Sequence, residues 1–224
     1  TLFIFFWAEA FFARNIADLK PLFKWTPVLL IFLVAAISMR TWSEERRSGT
    51  IESLLTSPVG PLQIAFGKFL ANWALVSLAL LLTIPLALSV SSIGPLDWGP
   101  VIGGYVASLF LAAAYVAIGL YMSGRTDNPI VALLLTVACS GFFYLIGSDL
   151  ITRLFDHHVS EVLKSLGSGS RFESITRGVL DIRDVYYYLS IVGCFLSLNV
   201  LHLHRFSWAD DANRAAHTKT HLLT

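Results

Sequence analysis

The sequence contains few charged residues. Only 14% of its 224 residues are Asp, Glu, Lys or Arg, whereas an ordinary soluble domain carries roughly 25%. Sixteen Lys and Arg are balanced by fifteen Asp and Glu, so no net field would attract nucleic acid. The chain is also 55% hydrophobic, and its mean hydropathy is +0.68. This composition predicts a protein that lies mostly within a lipid bilayer.

Cysteine is scarce, and the two that occur, Cys139 and Cys194, each lie inside an apolar run. A cysteine in such a run is more often a small buried hydrophobic residue than half of a disulfide or a metal ligand. His157 and His158 are adjacent, so on a helix their side chains point about 100° apart, which suits metal binding poorly. We therefore predict no metal site.

Motifs for ATP binding and for membrane acid–base chemistry are missing. No G-x-x-x-x-G-K-[ST] occurs, and the nearest match, at Gly67-Lys68, has the wrong spacing and no Ser or Thr after it. The uncharged stretches 69–96, 98–124 and 128–148 contain no carboxylate, which argues against an intramembrane enzyme or an ion relay. The chain is therefore predicted to have no catalytic residue, ATPase site or cofactor of its own.

Long uncharged stretches predict transmembrane helices, because a bilayer core of about 30 Å needs roughly 20 apolar residues in a helix. The stretches of that length are 69–96, Trp98–Gly124, 128–148 and 185–204. Residues 25–39 are fewer, but Lys24 and Arg40 beside them can snorkel to the two interfaces. Residues 1–8 are typical of the end of a truncated span rather than of a signal peptide. The predicted fold is an all-α polytopic membrane helix bundle with six transmembrane helices, and residues 1–224 form a single transmembrane domain.

Pro85 predicts a kink in the 69–96 span, because proline removes one backbone donor from a helix. Six spans place both chain ends and the 40–68 connection on one side of the membrane, and the 149–184 connection on the other. Lys and Arg are equally numerous on the two sides. The positive-inside rule therefore does not select the cytoplasmic side.

The connection at 149–184 predicts two helices. Residues 149–166 place apolar side chains on one face and charges away from it, as in an amphipathic helix at a bilayer surface. The GSGS sequence then breaks that helix, and in the following one Glu173, Arg177 and Asp181 form i,i+4 pairs. Such pairs are typical of a solvated helix face. The alternative is a docking surface for a partner outside the membrane.

The most charged segment, RTWSEERRSGTIESLLTSPV, begins at Arg40. Thr50 can cap a short helix in which Ile51, Leu54 and Leu55 form an apolar edge, and a proline ends that helix within two turns. A helix of two turns is marginal alone in water, so it needs a surface to lie against. The residues alone leave two interpretations open, an interfacial loop with snorkelling arginines and a docking helix for a protein partner.

Three separated stretches resemble one protein family. They are residues 44–59 with Gly67-Lys68-Phe69, residues 97–105, and residues 171–184. In order and spacing they resemble ABC-2 type transporter permeases of the type V exporter kind over roughly residues 25–205. Within that family they resemble the gliding-motility-associated branch, which is similar to the permeases of nitrous-oxide-reductase maturation. The sequence departs from the family at its start, where the amphipathic segment and most of the first span are absent.

The resemblance implies an orientation and a set of partners. Residues 43–58 would be a cytoplasmic coupling helix segment held in a groove of a separate ATPase subunit, which would bind ATP and Mg. The 149–184 connection would be an extracytoplasmic amphipathic helical connection, and residues 206–224 would be a cytoplasmic tail. Further implied partners are a second permease copy, identical or a close paralogue, an extracytoplasmic auxiliary protein and membrane lipids. The implied location is the bacterial inner membrane.

The resemblance also assigns residues to two interfaces. Charged side chains would form ion pairs at the rim of the ATPase groove, an apolar edge would enter it, and Gly49 would allow the sharp entry into the helix. The residues assigned to the ATPase interface are Glu44, Glu45, Arg46, Arg47, Gly49, Thr50, Ile51, Glu52, Leu54 and Leu55. Those assigned to the extracytoplasmic partner are Arg171, Phe172, Glu173, Arg177, Asp181 and Arg183. The implied function is an exporter permease, and the alternative is a membrane scaffold or force-transmitting anchor that moves no substrate.

Overall fold

The regular secondary structure is entirely α-helical in the residues that the computed structural model describes, which are 19–51, 58–94, 96–153, 156–178 and 181–221. The first helices are α1 (Lys20–Ser38), α2 (Ser43–Ser48), α3 (Pro61–Leu81), α4 (Ile84–Ile93) and α5 (Trp98–Gly124). They are followed by α6 (Pro129–Leu145), α7 (Asp149–Thr152), α8 (His157–Leu166), α9 (Ser168–Thr176) and α10 (Ile182–His221). The described part of the chain is therefore an all-α bundle.

The longest fully apolar helix, α5, is the centre of the bundle. It contacts α1, α3, α6, α9 and α10, and small residues along it allow these neighbours to come close. At Gly103 a Cβ atom would lie 2.7 Å from the carbonyl oxygen of Ile175 in α9, which leaves room only for glycine. The core of the fold is therefore built around α5 rather than around a cavity.

Four stretches in the described residues are long and apolar enough to cross a membrane. They are Pro21–Ser48, Pro61–Ser92, Trp98–Gly124 and Ile182–Leu203, and a shorter apolar helix is Pro129–Leu145. These stretches correspond in order to five of the six predicted spans. The predicted first span lies outside the described residues. The chain is thus a polytopic membrane protein, with the predicted 128–148 span reduced to the 17 residues of α6.

The interruption near Pro85 lies slightly before the predicted position. The long helix stops at Leu81, and a new helix, α4, begins at Ile84 with Pro85 in its first turn. A first-turn proline lacks only an N–H that a helix terminus leaves unpaired anyway. The Thr83 hydroxyl caps the break by donating to the carbonyl of Leu80 at 2.6 Å, and it lies 3.0 Å from the hydroxyl of Tyr105 in α5.

The predicted helices of the 149–184 connection need correction. Residues 149–166 form two helices, α7 and α8, rather than one, and Gly167 alone separates α8 from α9. The GSGS sequence therefore starts a helix as well as ending one. This next helix, α9, ends at Thr176 and the following one begins at Ile182, so Glu173, Arg177 and Asp181 do not share one helix. The physical reason is tertiary contact, because α9 packs against α5 and α6 and buries Phe172 and Ile175.

Candidate functional site

The charged segment folds into a short helix before the predicted one. Residues Ser43–Ser48 form α2, with two glutamates in its first turn and two arginines in its last, an arrangement that complements the helix dipole. Gly49 ends α2 with a φ of 71°, a left-handed conformation that glycine adopts without strain. The chain is helical again at Thr50 and Ile51. The predictions for Glu52, Leu54 and Leu55 lie outside the described residues.

The start of α2 is fixed to the end of α5. The backbone N–H groups of Trp42 and Ser43 both lie within hydrogen-bond distance of the Ser123 hydroxyl oxygen, at 3.1 and 3.2 Å. That hydroxyl donates in turn to the carbonyl of Met39, at 3.0 Å. Trp42 is 1% exposed. A buried serine of α5 therefore holds the turn between α1 and α2 from both sides.

Lys68, on the second turn of α3, connects that helix to the charged segment. Its ammonium donates to the carbonyl oxygen of Thr41 at 2.8 Å and pairs with the Glu45 carboxylate at 2.5 Å. It also lies 4.3 Å from the centre of the Trp42 ring. Two acceptors and an aromatic face thus account for the three N–H bonds of the lysine. One turn further on, the amide of Asn72 donates to the Thr41 hydroxyl at 3.2 Å.

Arg46 connects α2 to the other helix ends at the same level. Its Nε lies 2.7 Å from the Asp127 carboxylate in the α5–α6 loop, and its Nη1 donates to the carbonyl oxygen of Gly124. The Nε2 atom of His202 in α10 lies 3.0 Å from that same oxygen. Because a carbonyl oxygen only accepts, this contact requires the His202 proton to be on Nε2. We call this level of the molecule, defined by Lys68, Gly124, Asp127 and His202, the charged end.

The opposite end of the bundle holds a further ion pair. Arg171 in α9 lies 2.7 Å from the Asp184 carboxylate in α10, and the Asp184 side chain is 2% exposed. The same helices are joined by the Tyr188 hydroxyl, which donates to the carbonyl of Ser168 at 2.8 Å. The Ser168 hydroxyl lies 3.2 Å from that of Tyr115, in the middle of α5. The connection therefore dips into the bundle along α5 instead of lying wholly on its surface.

A cleft of about 130 Å³ lies between α1, α3 and α5. Its lining is mostly aliphatic, with the hydroxyl groups of Thr26, Thr83, Tyr105 and Ser108 placed among the apolar side chains. One of its lining residues, Leu33, is 38% exposed. An amphipathic lining of this kind suits a lipid-like molecule better than a polar solute.

The family model for the ABC-2 family transporter protein matches residues 21–168. The chain belongs to the ABC-2 family. A comparison with curated proteins gives no match. The family establishes a multi-pass permease component of an ABC transporter and implies association with an ABC ATPase subunit. It does not separate branches, so the likeness to gliding-motility-associated permeases stays a prediction.

In this ABC-2 chain, the residues predicted to face the ATPase divide into two groups. Glu44, Arg47, Gly49 and Thr50 are exposed, as a docking surface requires. By contrast, Glu45 and Arg46 pair with Lys68 and Asp127 of the same chain. Ile51 is 9% exposed and belongs to the hydrophobic core of the permease, and its assignment to the ATPase interface stays a prediction.

The residues predicted to face an extracytoplasmic partner divide in the same way. Phe172 is 2% exposed and packs in the core of the permease, and Arg171 is held by Asp184, so neither supplies a free surface. The exposed members of the set are Glu173, Arg177, Asp181 and Arg183. Asp181 also accepts a hydrogen bond from the backbone N–H of Arg183 at 3.0 Å, which caps the start of α10.

Several residues that matter at the charged end were not predicted from the sequence. Lys68 had a signal, since it lies in the stretch Gly67-Lys68-Phe69 that supports the resemblance, and Trp42 directly precedes the charged run. Asp127 and His202 had none, because their partners are far away in the chain. The expectation of two buried cysteines is corrected for Cys194, which is exposed on α10. The described residues contain no cluster of three or more His, Cys, Asp or Glu that could hold a metal ion.

Proposed function

We propose that this permease couples ATP hydrolysis by a separate ATPase subunit to export across the bacterial inner membrane. In this proposal the charged end faces the cytoplasm, and residues 43–58 dock on the ATPase, which binds ATP and Mg. A second permease copy, identical or a close paralogue, completes the transporter. An extracytoplasmic auxiliary protein meets the exposed charges near α9 and the start of α10.

The observation that carries the proposal is the set of contacts made by α2. This helix of six residues is bonded to α3 through Glu45 and to the end of α5 through Arg46, and its first residues are held by Ser123. Its outward side chains, Glu44 and Arg47, are exposed. A partner that grips the exposed side therefore acts on several membrane helices together, as a coupling element must.

Charge on the exposed side of α2 provides the test. In the double variant Glu44→Lys/Arg47→Glu, and separately in Leu54→Asp, we expect the ATPase subunit to copurify at least about tenfold less, because mispaired charges or a buried carboxylate at an interface cost more than 1.4 kcal/mol. Membrane insertion should be unchanged. The matched control is Glu173→Lys, an exposed acid at the opposite end. Undiminished copurification in both test variants would contradict the docking site.

The same preparation separates the transporter from a scaffold. A transporter subunit changes the turnover of its ATPase when it binds, because it binds the conformational states of the ATPase with different affinities. We therefore expect the ATP hydrolysis rate of the purified complex to differ from that of the isolated ATPase. An ATPase that binds the chain but keeps its isolated rate would support the passive anchor instead.

A further inference from the structure

The membrane helices differ in how firmly they are embedded in the bundle. Of the residues in the most apolar part of Pro61–Ser92, 22% are buried. The corresponding share for Trp98–Gly124 is 72%. The outer face of α3 is a row of large apolar side chains, namely Leu62, Phe66, Leu70, Leu75, Leu78 and Leu81. The free energy of contact between such a face and lipid changes little when the helix tilts. Of these two spans, α3 is therefore the one that can move at lower cost.

Two basic residues, Arg46 and Lys68, connect α2 to these unlike partners. Arg46 bonds to Gly124, at the end of the embedded helix α5. Lys68 is itself part of α3, and its side chain contacts Thr41, Trp42 and Glu45. When α2 is displaced, the embedded helix α5 therefore resists the movement through Arg46, whereas α3 follows it through Lys68. The Lys68 and Glu45 side chains are 19% and 31% exposed, so water weakens this pair only in part.

Movement of α3 at Lys68 would reach the cleft between α1, α3 and α5. The helix is continuous from Pro61 to Leu81. Ala79 lies eleven positions after Lys68, which corresponds to about 16 Å along a rigid helix. Ala79 and Leu80 form the α3 wall of the cleft. Directly beyond them the helix stops, and Thr83 is held to Tyr105 of α5. The break allows α3 to shift as a rigid unit without moving α4.

We propose that Lys68 is the positioning residue that transmits movement of residues 43–58 to α3. In this proposal α3 shifts as a rigid helix, separated from α4 by the break at Leu82–Thr83, and so changes the width of the cleft. The inference rests on the proposed function, since it takes the ATPase as the source of the movement. It adds the route within the permease and the place where the movement arrives.

Lys68→Met is the first test, because methionine keeps the length of the side chain and removes the charge. We expect the variant to reach the membrane and to bind the ATPase like the wild type, while the permease-dependent change in ATPase rate falls roughly fivefold or more, as expected for loss of a coupling interaction. Lys68→Arg, which can still pair with Glu45, should retain most of that change. Arg125→Met is the matched control, because Arg125 also lies over an aromatic ring at this end, that of Tyr121.

The charge swap Glu45→Lys/Lys68→Glu separates transmission from simple structural support. It restores an ion pair between α2 and α3 but not the native contacts around it, so we expect partial recovery of the coupled rate relative to Lys68→Met. A swap variant that inserts at wild-type level without any recovery would overturn the proposal. So would a Lys68→Met permease that couples normally, or one that no longer binds the ATPase, since the lysine would then shape the docking surface.

Spin labels across the cleft test the destination directly. Cysteines at Leu33 and Ala79, in a chain whose Cys139 and Cys194 are replaced by serine, report the distance between α1 and α3. In the complex with the ATPase, we expect a non-hydrolysable ATP analogue to shift this distance in the otherwise native chain and not in Lys68→Met. An unshifted distance in the native chain would refute the route, while copurification of the ATPase would show that the proposed function still stands.

Discussion

Neutralising Arg171 is expected to destabilise the fold more than neutralising its partner Asp184. The two side chains form one ion pair, but Arg171 is 25% exposed and Asp184 only 2%. The second carboxylate oxygen of Asp184 is also buried, without a hydrogen-bond partner in the described residues. Arg171→Met therefore leaves a buried carboxylate without a counter-ion, whereas Asp184→Asn leaves a guanidinium that water can reach.

These exposures set the expected sizes. Removing one partner of a buried ion pair costs about 3–5 kcal/mol, and the partial exposure of Arg171 places Arg171→Met at the lower limit, about 3 kcal/mol. Asp184→Asn keeps an acceptor for Arg171 and should cost about 1 kcal/mol. The double variant should be more stable than Arg171→Met alone, because it leaves no unpaired buried charge.

The assay is thermal stability of the purified chain in one detergent, measured as the fraction that stays monodisperse after heating. At roughly 2–4 °C per kcal/mol, Arg171→Met should lower the midpoint by about 6–12 °C. Arg183→Met, at an exposed arginine of the same end, is the control and should leave the midpoint unchanged. The reasoning is refuted if Asp184→Asn is the more damaging change, or if the double variant is no better than Arg171→Met.

Two further predictions use the same assay. Gly103→Ala should cost about 1–3 kcal/mol by overpacking, because its Cβ would lie 2.7 Å from the Ile175 carbonyl oxygen. The control Gly141→Ala, whose Cβ would meet nothing within 4 Å, should leave the stability unchanged. Equal effects of the two variants would contradict the close approach at Gly103. Tyr188→Phe should cost about 1 kcal/mol by removing the hydrogen bond to α9, whereas Tyr186→Phe, at a side chain that is 73% exposed, should be neutral.

Helix ends were predicted well where their signals are local. The predicted limits of α5 coincide with those observed, and the Asp97 side chain before it accepts a hydrogen bond from the N–H of Gly99 at 3.1 Å. Asn128 caps α6 in the same way through Ile130, at 2.9 Å. In both cases the cap and the helix it begins are neighbours in the chain. Such a signal can be read from sequence alone.

Prediction failed where distant residues decide the structure. The uncharged run that predicts the third span begins at residue 69, directly after Lys68, whereas the helix α3 already starts at Pro61. The Lys68 charge is balanced by Glu45 on another helix, a pairing that chain order does not reveal. Likewise, the sequence does not distinguish the charged side chains of α2 and α9 that are exposed from those that are paired within the chain. Only the fold shows that Glu45, Arg46 and Arg171 are bound within the chain.

The position of α5 bears on the path that a cargo can take. A helix with 16 buried residues among its 27 occupies the axis of this bundle, and α9 packs against it. In the described residues, α5 therefore fills the position that a pore through a single chain would occupy. Under the proposed export function, a cargo would pass along the flank of the bundle, at a seam shared with lipid or with another subunit.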